Sequence, residues 1–411
     1  MANDILVGTR RCGVPYQPIP SDGLVNAVEG TLAEFLAGQI AAFDAVDPAL
    51  GRFARITRDL VLAGGKRLRP TFAYWGWRGV IGGREPVDSV LPALAALELM
   101  HTFALVHDDV MDGSATRRGR PTAHRLFAAE HAGAGRLGDP GQFGETSAIL
   151  VGDLCLVWAD QLIAQTAVTT ATLFGVRACY DRMRVETVAG QYLDVLGETQ
   201  PQEWSLDRAL VVARHKTASY TVQRPLQFGL ALAGPMRGAA PAINDAYQTY
   251  GLAIGEAFQL CDDLLGVYGD PEITGKPASD DLRTGKPTAL LMLAHRLATP
   301  AQRAELAQTP AGAVIPADGS GGLFSSALPS PNGDAGDVAT PQRAPLRLTP
   351  SEAQIARQAE IIAETGAVAE VEAMIRQRVD TAVAALRDAP IHPDARAALI
   401  DLAVTATHRP A

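Results

Sequence analysis

Apolar residues recur at intervals of three and four along most of this chain, the period of helices that bury one face. The pattern starts near Leu24 and predicts helices over Leu24–Phe43, Phe53–Leu62, Pro70–Val80, Pro86–Asp112, Ser147–Ala167, Ala171–Leu196, Leu206–Ala233, Ala240–Leu265 and Thr288–Leu297. Gly64 and Gly65 end the second, and the glycine-rich run 128–144 reads as a loop or broken helix. Pro225 removes an amide and crowds the turn before it, so the helix around it is expected to kink. Ser351 is the right residue type to cap a C-terminal helical region, which the prolines at 390 and 393 divide in two. Alternating strand patterns are scarce, and the reading is an all-α fold with about ten or more helices. Pro86–Asp112 carries almost no charge before His107, which marks it as a central helix.

Two stretches lack this period. Residues 1–22, with Gly8, Gly13, Pro15, Pro18 and Pro20, read as a flexible N-terminal arm, leaving 23–411 as a single domain. Within that domain, 308–350 is rich in Gly, Ser, Ala and Pro, buries little, and is expected to be a disordered insertion.

Composition narrows the class. The chain has 411 residues, 47% hydrophobic and 20% charged, enough for a large core. Its net charge of -9 argues against nucleic-acid binding through a basic surface. Cys12, Cys155, Cys179 and Cys261 show no metal-ligand spacing and are expected to be reduced, implying cytoplasm. No charged-then-apolar leader and no uninterrupted apolar run of membrane length stands out.

The chemistry concentrates where apolar helices end in acid. LELMHTFALVHDDVMDGSATRRGRP, residues 97–121, places Asp108 and Asp112 one turn apart, with His101 two turns earlier on the same stripe. Acids near a helix C-terminus oppose its dipole, and adjacent like charges repel, so the cluster calls for a cation. An all-oxygen donor set selects a hard ion such as Mg2+. A second apolar helix ends in Phe258–Leu265, where Gln259 and Asp262 share a face beside Asp263. Lys276 and Lys286 follow on a glycine- and proline-broken loop, and Arg117 and Arg118 follow the first acidic cluster. Facing carboxylates ringed by cations suit Mg2+ and a diphosphate.

Three further features are less decisive alone. In GGKRLRP, Lys66, Arg67 and Arg69 crowd a helix start and suit an anion, or simply form a solvated basic turn. Lys216 and Thr217 precede Pro225 within apolar surroundings, where the lysine either meets a buried anion or snorkels outward. Gln191 and Asp194 share one face of GQYLDV and either line a cavity or provide helix-end polarity, whereas Asp153 reads as structural.

Taken in order, GGKRLRP, HTFALVHDDVMDGSATRRGRPT, GQYLD, KTASY, FQLCDDLLGVYGD and GKPASDDLRTGK resemble the motifs of the trans-isoprenyl diphosphate synthases, or polyprenyl synthetases. The resemblance spans about Leu24 to Leu297 and resumes from Ser351 to Leu402. It implies an isoprenoid synthase-type helical bundle around a central cavity, usually a homodimer. By this resemblance Asp108, Asp109 and Asp112 bind two Mg2+ ions on an allylic diphosphate, and Asp262, helped by Asp263, binds a third. Arg117, Lys216, Thr217, Gln259, Lys276 and Lys286 match positions at the allylic diphosphate. Lys66, Arg69, His101 and Arg118 match those for isopentenyl diphosphate, with Arg67 a weaker member.

The implied reaction is ionisation of an allylic C–O bond, attack by the double bond of isopentenyl diphosphate, and proton loss, starting from C5 to C15 allylic substrates. It needs electrostatic stabilisation rather than a protein nucleophile, and no nucleophilic triad or reactive cysteine is apparent. One departure stands out: the family's second motif often ends in aspartate where this chain has Gly266. Phe103 lies five residues before Asp108, about 7.5 Å back along the helix, and is expected to floor the tail pocket, with Ala104 leaving room beside it. In the family this pattern resembles the geranylgeranyl (C20) type, with C15 and C25 open. A class I terpene cyclase fits less well, because no second NDxxSxxxE-type site follows Asn244 and Asp245, and a noncatalytic regulatory subunit is not expected to keep the first motif whole.

Overall fold

The computed structural model describes residues 21–82, 86–200, 203–235, 240–270, 279–307 and 350–407. The expectations for the arm before Ser21, for Cys12, for Lys276 and for nearly all of the 308–350 insertion lie outside the described residues.

These residues form an all-α bundle. In chain order the helices are α1 (Ser21–Asp44), α2 (Pro48–Val61), α3 (Leu68–Ile81), α4 (Leu91–Met111), α5 (Ala123–Gly133), α6 (Pro140–Ala164), α7 (Thr170–Thr199) and α8 (Leu206–Val212). A π-helical segment, Ala213–Gln223, leads into α9 (Arg224–Leu232), followed by α10 (Ala240–Tyr268), α11 (Asp280–Thr284), α12 (Ala289–Leu297) and α13 (Pro300–Leu306). The chain closes with α14 (Glu352–Glu364), α15 (Ala367–Arg387) and α16 (Pro393–Thr407). Among the described residues the only β structure is a two-residue antiparallel pair pairing Thr116 with Pro121 and Arg117 with Arg120.

The central position of α4 follows from its composition. Residues Ala93 through Met100 are all buried, packed chiefly by α6 and also by α1, α3 and α5. One apolar cluster gathers α1, α2, α4, α6 and α7; a second gathers α3, α9, α10 and α16; a third holds α8, the end of α10 and α12 to α15. The two acid-ended helices, α4 and α10, thus belong to different clusters.

Several expected boundaries move. Of the two readings of 128–144, loop or broken helix, the structure has the broken helix: α5 continues to Gly133, and α6 starts at Pro140 because Asp139 caps the amide of Gln142 at 2.7 Å. The run from Pro86 is not one helix, since a 3-10 turn at Val87–Ser89 precedes α4. Ser351 does cap α14, with Gln354 completing a capping box, but Gly366 at φ +82 adds a break, so three helices follow rather than two. The expected kink near Pro225 appears as the wider π turns just before it, which absorb the missing amide. Finally, α6 is long and apolar enough to cross a membrane by length and composition, and half of that stretch is buried within the bundle.

Candidate active site

The first acidic cluster ends α4 as expected, and cations enclose it. Asp108 accepts from Lys216 Nζ at 2.8 Å, from Gln191 Nε2 at 3.1 Å and from Arg117 at 3.1 Å. Arg117 also donates to buried Asp109, at 2.7 Å, so one guanidinium bridges both carboxylates. The turn after α4, pinned by the short β pair, returns Arg117 to this position. Lys216 further pairs with Asp194 at 2.5 Å, and Lys286 reaches Asp194 at 3.0 Å. Gln191 and Asp194 therefore line the site rather than marking a polar helix end, and Lys216 turns inward rather than snorkelling.

Lys216 owes its place to two close backbone approaches. A β-carbon at Gly190 of α7 would lie 2.3 Å from the Lys216 amide nitrogen, and one at Gly255 of α10 would lie 2.3 Å from the Ala218 α-carbon. The π segment is held between the two helices only because both positions lack side chains.

Charge states follow from this enclosure. Burial pushes Asp108 upward, but Lys216, Lys286 and Arg117 outweigh it and hold the carboxyl well below its usual range. Asp112 goes the other way: burial and the neighbouring Asp108 raise it, leaving a carboxyl that a cation would stabilise. Burial opposes the charged forms of Lys216 and Lys286, yet Asp108, Asp194 and Asp112 raise both.

The second wall is built differently. Thr217 donates to Gln259 Oε1 at 2.5 Å, Gln259 donates to Asp263 at 2.9 Å, and the Ala289 amide donates to the other Asp263 oxygen at 3.1 Å. Asp263 is buried, which pushes its pKa up to about 7. One of its oxygens is bonded within α10, by Gln259, and the other joins α10 to the start of α12. Asp262 beside it is half-buried.

The basic motif divides by direction. Arg67 faces inward: its guanidinium meets Glu98 at 2.7 Å and Glu29 at 3.1 Å, which holds its backbone at φ +47. Arg69 lies 4.2 Å over the Tyr220 ring and donates to Thr221 at 2.9 Å, while its Nε is buried with no partner among the described residues. His101 stands beside Tyr220, with Nδ1 3.5 Å from the phenol oxygen. Burial, then Arg69, Arg118 and Arg117, keep the imidazole neutral by lowering its pKa well below the ordinary value. Arg118 donates to the Gly64 carbonyl, and Lys66 is exposed on the same turn. Tyr220 and Thr221 were not singled out from sequence, although Tyr220 is the last residue of KTASY and Thr221 follows it.

Phe103 is buried and packs edge-on against His107, ring centroids 4.9 Å apart, while Ala104 is half-buried. Asp153 is largely exposed near His107 and is separate from the acidic cluster.

The donors here fit a hard cation with a polyanion. The acidic groups offer only oxygen, Asp112 gains from added positive charge, and Arg69 Nε gains from an anion. Among the described residues no three potential ligands converge on one point, so a diphosphate would have to complete the coordination. A small cavity of about 50 Å³ lies among Asp194, Lys216, Gln259, Asp263 and Lys286. A roomier cavity of about 590 Å³ between α7, α9 and α10 is lined by none of the aspartates.

The polyprenyl synthetase family model matches residues 51–312. The chain belongs to this family of trans-prenyltransferases. It is 33% identical over 252 residues to geranylfarnesyl diphosphate synthase of Aeropyrum pernix, covering 60% of this chain and 71% of that one. With a (2E,6E)-farnesyl diphosphate synthase of Mycobacterium bovis it shares 35% identity over 224 residues, 54% of this chain and only 55% of the relative. A geranylgeranyl pyrophosphate synthase of Corynebacterium glutamicum, crystallised with isoprenyl diphosphate and magnesium, superposes with a TM-score of 0.80 at 37% identity, covering 95% of this chain and 100% of the other. The relatives agree on the reaction class and differ in product length.

Proposed function

We propose that this prenyltransferase condenses isopentenyl diphosphate head-to-tail with an allylic diphosphate to give all-trans geranylgeranyl diphosphate, using Mg2+, three ions per site. The observation that carries the reading is the pair of cationic sites flanking α4. Lys216, Lys286 and Arg117 surround Asp108 on one side, and Arg69, with His101 and Arg118, forms a second anion site on the other.

On this reading Asp108, Asp109 and Asp112 hold metal on one wall and Asp262 holds it on the other. Bound Mg2+ supplies positive charge to the departing diphosphate. Lys216, Lys286 and Arg117 are already positioned as counterions of carboxylates, and with Mg2+ held by the aspartates they would be available to the diphosphate. Ionisation thus proceeds against donors fixed in advance. Thr217 and Gln259 orient the same group, and Lys276 joins them by its place in the motif. Arg69, Arg118 and Lys66 hold isopentenyl diphosphate, and neutral His101 donates a hydrogen bond there without adding to the crowd of positive charge. Loss of a proton completes a product five carbons longer.

The C20 assignment rests on Phe103, placed one and a half turns below Asp108. Mass spectrometry of products formed from isopentenyl diphosphate, Mg2+ and separate C5, C10 and C15 allylic diphosphates tests the whole reading. A dominant C20 diphosphate is expected. C15 or C25 would keep the condensation and overturn the floor, while cyclic hydrocarbon or no product would overturn the reaction. In Phe103→Ala the product is expected to lengthen by at least one isoprene unit.

A homodimer is part of the proposal. Ile149, Leu150 and Val157 of α6 and Phe174, Val185, Val188 and Tyr192 of α7 are exposed, an apolar face suited to a second copy. Sedimentation at a monomer's mass would exclude it. The free thiols of Cys155, Cys179 and Cys261 support a cytoplasmic setting.

A further inference from the structure

The cavity of about 590 Å³ between α7, α9 and α10 is polar where a pocket for a hydrocarbon tail would be greasy. Arg182 and Arg224 reach it together with the carboxamides of Gln223, Gln227 and Asn244, and among the described residues no aspartate or glutamate lines it. Its volume is in the range of sites that enclose a small molecule. It stands apart from the acidic clusters: Arg182 precedes Asp194 by twelve residues (194 minus 182), about 18 Å along α7.

The fold does not use up the polar groups of this lining. Arg224 spends its charge on Glu186, through Nε at 2.8 Å, and donates to Gln227 Oε1 at 2.6 Å. Gln227 Nε2 in turn donates to Asn244 Oδ1 at 2.9 Å, which leaves the Asn244 NH2 for the cavity. Gln223 is 5% exposed, yet its carboxamide makes no hydrogen bond among the described residues. A buried amide without a partner weighs against the fold until a ligand completes it. Arg182 also makes no hydrogen bond or ion pair among the described residues, so the cavity holds one uncompensated positive charge beside spare amide donors. That set suits an anion with a polar body. The Cys179 thiol at the edge donates to the Arg224 carbonyl at 3.7 Å, and burial pushes it up to about 12, so it is no nucleophile and binding here is noncovalent.

The same groups connect the cavity to the reaction. Gln223 is the last residue of the π segment that carries Lys216 and Thr217. Glu186, the partner of Arg224, also accepts from Ser219 in the middle of that segment. A ligand that fixes Gln223 and draws on Arg224 therefore acts on the backbone that positions Lys216.

We propose that this cavity is an effector site for a small polar molecule bearing a phosphate or carboxylate group. The anion lies against Arg182 and the polar body against Gln223 and Asn244, and occupancy changes the affinity of the allylic site through the π segment. The binding site stands on the cavity itself, and the coupling rests on the role proposed above for Lys216.

Isothermal titration calorimetry of the full chain with ribose 5-phosphate, AMP and citrate tests the site without turnover and distinguishes phosphate from carboxylate. Anions also bind at the diphosphate sites, so the cavity's share is the part that Arg182→Ala removes. At least one probe is expected to bind wild type and to bind Arg182→Ala and Gln223→Met about 10-fold more weakly, the loss of one charge-assisted hydrogen bond. Gln223→Met is also expected to keep or raise the thermal midpoint, because it deletes an unmatched buried amide. Equal affinity for all three probes in wild type and Arg182→Ala overturns the site, and a lowered midpoint in Gln223→Met overturns the assignment of that amide to a ligand. The bound probe is expected to shift KM for the allylic diphosphate about fivefold or more in wild type and not in Arg182→Ala. Binding without that shift overturns the coupling and leaves the site standing, whereas absence of any prenyl product would overturn the reaction and leave the calorimetric result untouched.

Discussion

Asp108–Asp109 on α4 and Asp262–Asp263 on α10 are the same dipeptide near the end of an apolar helix, and their surroundings give them different work. On α4 the burden of two carboxylates is met by full positive charges: Lys216 at 2.8 Å from Asp108 and Arg117 at 2.7 Å from Asp109. On α10 the second carboxylate meets neutral donors, Gln259 and the Ala289 amide, and burial raises it to about 7. On one wall the carboxylates are paired with full charges; on the other, one aspartate is bonded to the start of a second helix. An aspartate pair in sequence therefore does not fix which groups its members meet.

The largest effect should come from the charge-paired wall. Asp108→Asn is expected to lower kcat about 10³-fold while leaving the thermal unfolding transition in place, because on the proposed reaction it removes the charge that would hold metal and lysine at the breaking bond. Near-normal turnover in steady-state kinetics would erase the distinction between the walls.

A second contrast sits within GGKRLRP. Arg67→Ala is expected to cost about 3–5 kcal/mol in denaturant unfolding, since it strands buried Glu98. Arg69→Ala should instead raise KM for isopentenyl diphosphate with little loss of stability. Exchange of these outcomes would reverse the assignment of the two arginines.

The anchoring wall has its own pH signature behind it. His295, buried on α12, has its pKa lowered to about 4 by burial first and by Arg303. The unfolded chain binds a proton near pH 6.5 that the folded chain refuses until about 4, so stability rises with pH across this window and is lost on acidification. The loss is on the order of 2–3 kcal/mol between the two values. His295→Gln should flatten that part of the stability profile relative to wild type, and parallel profiles would show that another group titrates.

The smallest expected effect is at Asp263 itself. Removing its oxygens in Asp263→Ala leaves Gln259 and the Ala289 amide without acceptors, at about 1–3 kcal/mol. Asp263→Asn, which keeps an acceptor, should cost less and, if Asp263 serves only to join the helices, retain substantial turnover; a collapse of activity like that of Asp108→Asn would support the metal role expected of it from sequence.

Much of this molecule is legible in the chain. Helical period located α1 to α4, α6, α7 and α10 because each buries a wide apolar face, and residue type with spacing marked Asp108, Asp112, Gln259 and Asp262 as one chemistry, which Lys216 joined only by the family resemblance. Where boundaries shifted, short-range bonds decided: Asp139 started α6 early, and Gly366 split the C-terminal helices. Period alone carries no record of such caps.

The sequence by itself determined the all-α class, the family and the identity of the charged groups, since these depend on composition and on order along one chain. Tertiary structure alone decided which charge meets which: that Arg67 turns to Glu98 while Arg69 turns to Tyr220, that Asp194 joins Lys216 and Lys286, and that Asp263 anchors α12. Each of these joins residues from different elements. Their distances are set by how helices pack around missing side chains and buried charge, which no window along the chain can contain.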